Sequence, residues 1–307
     1  METIFKILPR KIANYLEEIP PYQLEELEEI RIRINKPIEV TMKGIPCFLA
    51  YIVQPEDAYL LLNKISQFSI YTMEEELRRG YVTISGGHRV GLAGKVILER
   101  GMVKAIRDVS SFNIRIAREK IGIAEKMIPF LYEDGWFHTM IVGAPQTGKT
   151  TLLRDIARII STGDLNKGLK ANKVGIVDER SEIAGCINGI PQLTFGPRVD
   201  VLDSCPKAEG MMMMIRSMSP DVLIVDEIGK IEECEAILEA VNSGIKLIMT
   251  AHGMNFNELR SRPSLKPILE LGIFQRFIEL SRLNGPGTLT SIKNLQGEEI
   301  YAKVRVT

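Results

Sequence analysis

Residues Ile30-Arg-Ile-Arg-Ile34 alternate apolar and charged side chains, the period-two signature of a strand with one buried face, and Pro37 and Gly44 punctuate a following hairpin. From Pro55 to Phe68 the apolar residues Ala58, Leu61, Leu62, Ile65 and Phe68 recur at helical spacing. Thr72 and Glu75 form a capping-box pattern for a second helix that Gly80 would stop. Four short apolar runs follow at Tyr81–Ile84, Val90–Leu98, Val103–Ile106 and Phe112–Ile116. The turn signals Gly86-Gly87 and Glu99-Arg-Gly-Met102 between them predict an antiparallel meander. Residues 1–120 therefore read as a smaller α+β domain.

From about Gly122 the pattern changes to apolar runs alternating with amphipathic stretches, which predicts a parallel sheet with crossover helices over residues 121–307. The clearest strands are Thr139–Val142, Val174–Val177, Val222–Val225 and Ile245–Met249, and the helices between them Thr151–Ser161, Lys207–Met218 and Ile231–Val241. The methionines Met211–Met214 fall on one of these helices, where their expected role is core filling.

The loop joining the first of those strands to its helix reads Gly143-Ala144-Pro145-Gln146-Thr147-Gly148-Lys149-Thr150, a complete G-x-x-x-x-G-K-T in strand–loop–helix context. Glycines let the backbone curl around phosphates, and the helix N-terminus, from Thr150 and Thr151 onward, adds its dipole. Lys149 is expected in an exposed cradle where it meets the β/γ-phosphates of ATP, and Thr150 on Mg²⁺. Val222-Leu-Ile-Val-Asp226-Glu227 is a wholly apolar strand that delivers two acids to the carboxyl edge of the sheet. Asp226 suits a Mg²⁺ shell and Glu227 an attacking water. A second acidic strand end, Val177-Asp178-Glu179-Arg-Ser-Glu182, makes Glu179 a rival base. A third strand end carries Thr250 and His252, placed where a γ-phosphate sensor belongs. Ser111-Phe-Asn-Ile-Arg115-Ile-Ala-Arg118 puts two arginines near the domain boundary, a residue type suited to phosphate.

Composition narrows the partners. Lys+Arg and Asp+Glu each number 39 among 307 residues, so no global field draws the chain to nucleic acid. The four cysteines lack ligand spacing, so zinc is not expected. No run approaches the roughly 20 apolar residues that cross a bilayer, and the expected location is cytoplasmic. The segment Asn172-Lys-Val-Gly175 lacks the aspartate of N-K-x-D and precedes the Asp226 strand, which favours ATP over GTP.

The order of P-loop, acidic box, Asp226 strand and Thr250-Ala-His252 resembles the secretion-superfamily ATPases of type II and type IV systems and of pilus retraction. More narrowly, Glu29-Ile-Arg-Ile-Arg33, Gly87-His-Arg-Val-Gly91, Val177–Ile183, Cys205–Met212 and Ser219–Ile228 resemble the stage III sporulation protein AA family. The resemblance implies a RecA-like P-loop ATPase domain and an ATPase of the mother cell that energises a secretion-like channel. It further implies membrane-embedded partners, peripheral membrane association through them, and a homo-oligomeric, commonly hexameric, ring. It also implies that Arg115 and Arg118 contact nucleotide. The acidic box reads Asp-Glu-Arg where secretion ATPases have Glu-Asp-Pro, and the Asp226 strand ends Asp-Glu where they have Gly-Glu, so the base stays open between Glu227 and Glu179. An oligomeric nucleic-acid-remodelling ATPase and a small-molecule phosphotransferase are the alternatives. The first would need a basic or aromatic platform, and the second a lid for which residues 185–206 are the candidate.

Overall fold

The computed structural model describes residues 1–66 and 74–302 and divides into two compact units, Met1–Arg118 with Gly185–Gln192, and Glu119–Ala184 with Leu193–Thr307. Thr72 of the capping-box pattern and Phe68 of the preceding helical spacing lie outside the described residues.

The first unit opens with α1 (Glu2–Ile7), α2 (Arg10–Glu17) and the single turn α3 (Pro21–Leu24), then β1 (Leu27–Arg33), β2 (Pro37–Met42), β3 (Ile45–Ile52) and α4 (Pro55–Ile65). It closes with α5 (Glu74–Arg79), β4 (Tyr81–Ile84), β5 (His88–Glu99) and β6 (Met102–Arg115). Its six strands form an antiparallel sheet ordered β3-β2-β1-β6-β5-β4. The alternation of β1 does what it predicts: Ile30 and Ile32 are fully buried beneath α1, α2 and α4, whose Ile4, Ile12, Leu16 and Leu61 close the core.

The sequence reads β6 as two strands, and the structure makes it one. The interruption at Arg107-Asp108 is a bulge, at which Asp108 takes a left-handed φ of 48° and the register with β5 shifts between Ala93 and Lys95. Gly94 sits opposite. A Cβ there would meet the Asp108 carbonyl oxygen at 2.6 Å and the Arg107 oxygen at 2.7 Å.

The second unit contains α6 (Ile128–Leu131), β7 (Thr139–Gly143), α7 (Lys149–Thr162), β8 (Val174–Asp178), β9 (Val199–Asp203), α8 (Lys207–Met218) and β10 (Val222–Val225). It continues through α9 (Ile231–Asn242), β11 (Lys246–His252), α10 (Phe256–Arg260), α11 (Lys266–Glu270), β12 (Arg276–Ser281), β13 (Thr288–Asn294) and β14 (Glu299–Ala302). The sheet order is β14-β13-β12-β7-β11-β10-β8-β9, parallel from β12 to β9 with an antiparallel β13-β14 edge. Because both faces of a parallel sheet are covered, its strands are apolar throughout. Ile141, Ile176, Ile224 and Ile248 face α7, whose Leu152, Leu153, Ile156 and Ile160 pack on them. Their neighbours Val142, Val177, Leu223 and Met249 face α8 and α9 on the other side. Met211 and Met214 are buried there as filler, while Met213 is exposed. The segment considered as a lid contributes the edge strand β9, and residues 185–192 count with the first unit.

Replacing Gly94 by alanine should lower stability by about 1–3 kcal/mol, because the added methyl meets backbone that cannot rotate away. Denaturant midpoints of wild type and Gly94→Ala measure this directly.

Candidate active site

All the strand-end motifs of the second unit open on the carboxyl edge of its sheet, where β7, β11, β10 and β8 lie side by side. The P-loop leaves β7 at Gly143, a position that admits no side chain: a Cβ would lie 2.5 Å from Thr147 Oγ1 and 3.0 Å from the Leu280 carbonyl oxygen. Ala144, Pro145 and Gln146 carry the chain around, with Gln146 at φ 61° and Gly148 at φ 88°, and Thr147 Oγ1 donates to the Ala144 oxygen at 2.8 Å. The Gln146 amide accepts from Arg282 Nη1 at 3.1 Å, and Gly287 N–H donates to the Thr147 oxygen at 2.8 Å. The β12–β13 turn therefore buttresses the loop.

Lys149 corrects one expectation. Far from lying in an exposed cradle, it is only 4% exposed. It opens α7, and side chains at a helix start point back toward the N-terminus, so its ammonium lies beneath the loop. Nζ donates to the Gly143 oxygen at 2.8 Å and the Ala144 oxygen at 3.0 Å. Burial lowers its pKa, and the charges of Asp226 and Glu227 oppose that shift. Thr150 Oγ1 donates to Asp226 Oδ2 at 2.6 Å, and Thr151 lies half-buried on α7 behind it.

Asp226 gathers the site. Its second carboxylate oxygen takes the Thr250 hydroxyl hydrogen from β11, and Thr250 Oγ1 in turn accepts the Glu227 N–H at 2.8 Å. Glu227 stands in a left-handed backbone conformation, φ 55°, which re-aims its side chain at the P-loop side of the edge. There Glu227 Oε1 lies 3.0 Å from His252 Nε2, and His252 Nδ1 lies 3.3 Å from Lys149 Nζ. An ammonium can only donate, so Nδ1 accepts and the ring carries its proton on Nε2, facing the glutamate. Lys149, His252 and Glu227 thus form one hydrogen-bonded chain.

The acidic box after β8 divides its labour. Asp178 is 2% exposed and its two oxygens accept the N–H groups of Glu182, Ile183 and Ala184, each at 2.9 Å. Burial pushes its carboxyl up to about 6, against those three hydrogen bonds. Arg154 of α7 donates to the Ile183 oxygen at 2.6 Å and the Glu182 oxygen at 2.8 Å, which clamps the same loop from below. Glu179 is left facing Lys207, with Oε2 3.3 Å from Nζ, and Lys207 also donates to the Glu227 carbonyl oxygen at 2.6 Å. Arg180 Nη1 reaches Glu227 Oε2 at 3.3 Å. Lys207, Arg180 and Arg154 are functional neighbours that motif reading misses. The Pro206-Lys207 start of α8 is the signal for Lys207, since a helix opening there places its first side chains at the same edge, while Arg180 stands in the acidic box and Arg154 on α7.

Arg115 and Arg118 belong to the first unit. Arg115 ends β6, exposed and paired in register with Glu29 and Arg89, and Arg118 Nη2 donates to the Leu27 carbonyl oxygen at 2.8 Å.

The donor set suits Mg²⁺ chemically, since a threonine hydroxyl and a carboxylate supply hard oxygens side by side. The edge as a whole can hold phosphates, a hard cation and a water against a carboxylate.

Comparison with known proteins finds likeness in sequence and in fold. The chain is 58% identical over 297 residues to stage III sporulation protein AA of Bacillus subtilis (strain 168), covering 97% of this chain and 96% of that one. Its fold is shared with a solved ATPase and a solved pilus retraction motor. The ATPase DotB of Yersinia pseudotuberculosis superposes with a TM-score of 0.61 at 16% identity, over 94% of this chain and 81% of that one. The pilus retraction motor PilT with bound ADP gives 0.59 at 16%, over 93% and 82%.

Replacing Asp178 by asparagine should turn an amide NH₂ toward one of the three N–H groups, and cost about 1–3 kcal/mol of stability. The readout is the denaturant midpoint of Asp178→Asn at neutral pH.

The family model for sporulation stage III, protein AA, matches residues 1–300, and the chain belongs to that family.

Proposed function

We propose that the chain is an ATP-hydrolysing motor subunit of a secretion-like transenvelope complex in sporulation, coupling hydrolysis to domain motion and to remodelling of a membrane-embedded partner. One observation carries this reading: a P-loop, Asp226, Glu227 and His252 are joined at a single sheet edge through Thr150 and Thr250. Family membership and the fold shared with solved ATPases support it.

In this reading the loop amides hold the β- and γ-phosphates of ATP, and Lys149 reaches them by exchanging the Gly143 and Ala144 carbonyl oxygens for phosphate oxygens. Thr150 and Asp226 hold Mg²⁺, which when bound neutralises charge on the phosphates. Glu227 takes a proton from the water that attacks the γ-phosphorus, the bond to the β–γ bridging oxygen breaks, and ADP leaves. His252 orients Glu227 and links it to the lysine at the phosphates. Glu179 acts through Lys207, which fixes the Glu227 backbone, so its part is positioning. Arg115 and Arg118 supply cations to the nucleotide. The subunits work as a homo-oligomeric, hexameric ring, on the cytoplasmic side of the mother-cell membrane and attached through membrane-embedded partners.

Glu227→Gln should lower turnover about a hundredfold or more while nucleotide binding survives, and Glu179→Gln should lower it less, by about tenfold. Phosphate release and fluorescent-nucleotide titration, both run across a range of protein concentrations, read these effects. Specific activity should rise with concentration as rings form. Wild-type turnover in Glu227→Gln excludes it as the base.

A further inference from the structure

The longest strand pair of the first unit outruns its sheet. β4 pairs β5 only as far as Gly91, and β1 pairs β6 only from Ser111. β5 and β6 stay paired beyond both, from Lys95↔Arg107 to Glu99↔Met102. Arg100 (φ 52°) and Gly101 (φ 80°) close the ribbon in a two-residue turn whose positive φ values match strand twist. The outer pairs thus form an arm of about 17 Å, with no third strand on either edge among the described residues.

Alternation along the arm places Val96, Leu98 and Val103 on one face and Ile97 and Met102 on the other, while Ala105 and Ile106 at its base pack against the core of the unit. The apolar side chains nearest the turn are the most open: Leu98 is 63% exposed and Met102 62%. Four exposed cations, Lys95, Arg100, Lys104 and Arg107, surround them, and the acid among them, Glu99, is ion-paired with Lys104 at 3.2 Å. This local excess stands in a chain whose charges balance overall.

A two-stranded ribbon is marginal in water by itself, and open edges beside apolar side chains invite association. The surroundings that fit this arm must meet apolar groups on both faces and anionic groups around them. A nucleic acid offers anions and can take an apolar wedge between base steps, but not apolar side chains on both faces of a ribbon. A protein groove covers one face. The headgroup boundary of an anionic bilayer encloses an inserted tip on every side, takes its apolar side chains, and attracts its cations. We propose that the β5–β6 arm docks directly on an anionic lipid surface, with Leu98, Met102 and Val103 inserted and Lys95, Arg100, Lys104 and Arg107 at the headgroup phosphates. This contact goes beyond partner-mediated attachment and does not depend on the nucleotide chemistry.

The test is sedimentation of the full chain with vesicles of phosphatidylcholine alone, or of phosphatidylcholine and phosphatidylglycerol in equal parts. The wild type should pellet with the anionic vesicles, less so as salt rises, and remain in solution with the neutral ones. The pair Arg100→Glu with Lys104→Glu, and separately the pair Leu98→Ser with Met102→Ser, should each weaken binding by about tenfold or more. In Leu98→Trp, emission should shift to the blue on anionic vesicles and be quenched by brominated lipid. Failure of the wild type to bind anionic vesicles, full binding by either pair, or an unshifted Leu98→Trp spectrum each overturns the proposal. So does binding to single-stranded DNA without binding to vesicles. Hydrolysis by the same preparations tells a failure here from a failure of the nucleotide reading.

Discussion

Two threonine hydroxyls converge on one carboxylate, and the architecture of the edge follows from that convergence. Thr150 comes from the start of α7 and Thr250 from β11, and both donate to Asp226 at the end of β10. Charge-assisted bonds of this kind are roughly twice as strong as neutral ones, and here they tie three elements of the sheet edge together. Thr250 also accepts the Glu227 N–H, so the glutamate backbone is fixed in a left-handed conformation that costs of order 1–3 kcal/mol. Such a cost is sustained where the surroundings over-determine the geometry. Its effect is to aim Glu227 at His252, and through it at Lys149.

Around this centre, cations separate the two acids that motif reading could not rank. Glu227 meets His252 and Arg180 and is joined to the P-loop lysine. Glu179 meets Lys207, which binds the Glu227 carbonyl oxygen instead of the P-loop. Asp178, the most buried of the group, spends both oxygens on its own loop and serves as a staple.

What could be read from the sequence is what local periodicity encodes. The apolar strands 139–143, 174–178 and 222–225, the helices between them and the P-loop all announce themselves through runs, spacing and glycine chemistry. The long-range parts do not. That β12 lies beside β7, and that the turn at Asn284-Gly-Pro-Gly287 buttresses the loop through Arg282 and Gly287, depends on pairing across more than 130 residues, although the turn residues themselves were a visible signal. The edge strand β9 was hidden because Asp200 and Asp203 interrupt its apolar run, as an edge position tolerates. The burial of Lys149 is not legible from the motif, whose spacing identifies a residue type and says nothing of the direction its side chain takes from the first helical turn.

The central claim is that this edge hydrolyses ATP. The most direct test is steady-state phosphate release from Mg-ATP by the wild type, with Lys149→Ala beside it and folding checked by circular dichroism. Turnover should require Mg²⁺ and fall by about a hundredfold or more in Lys149→Ala. Equal turnover in the two proteins, or none from concentrated wild type, would contradict that claim.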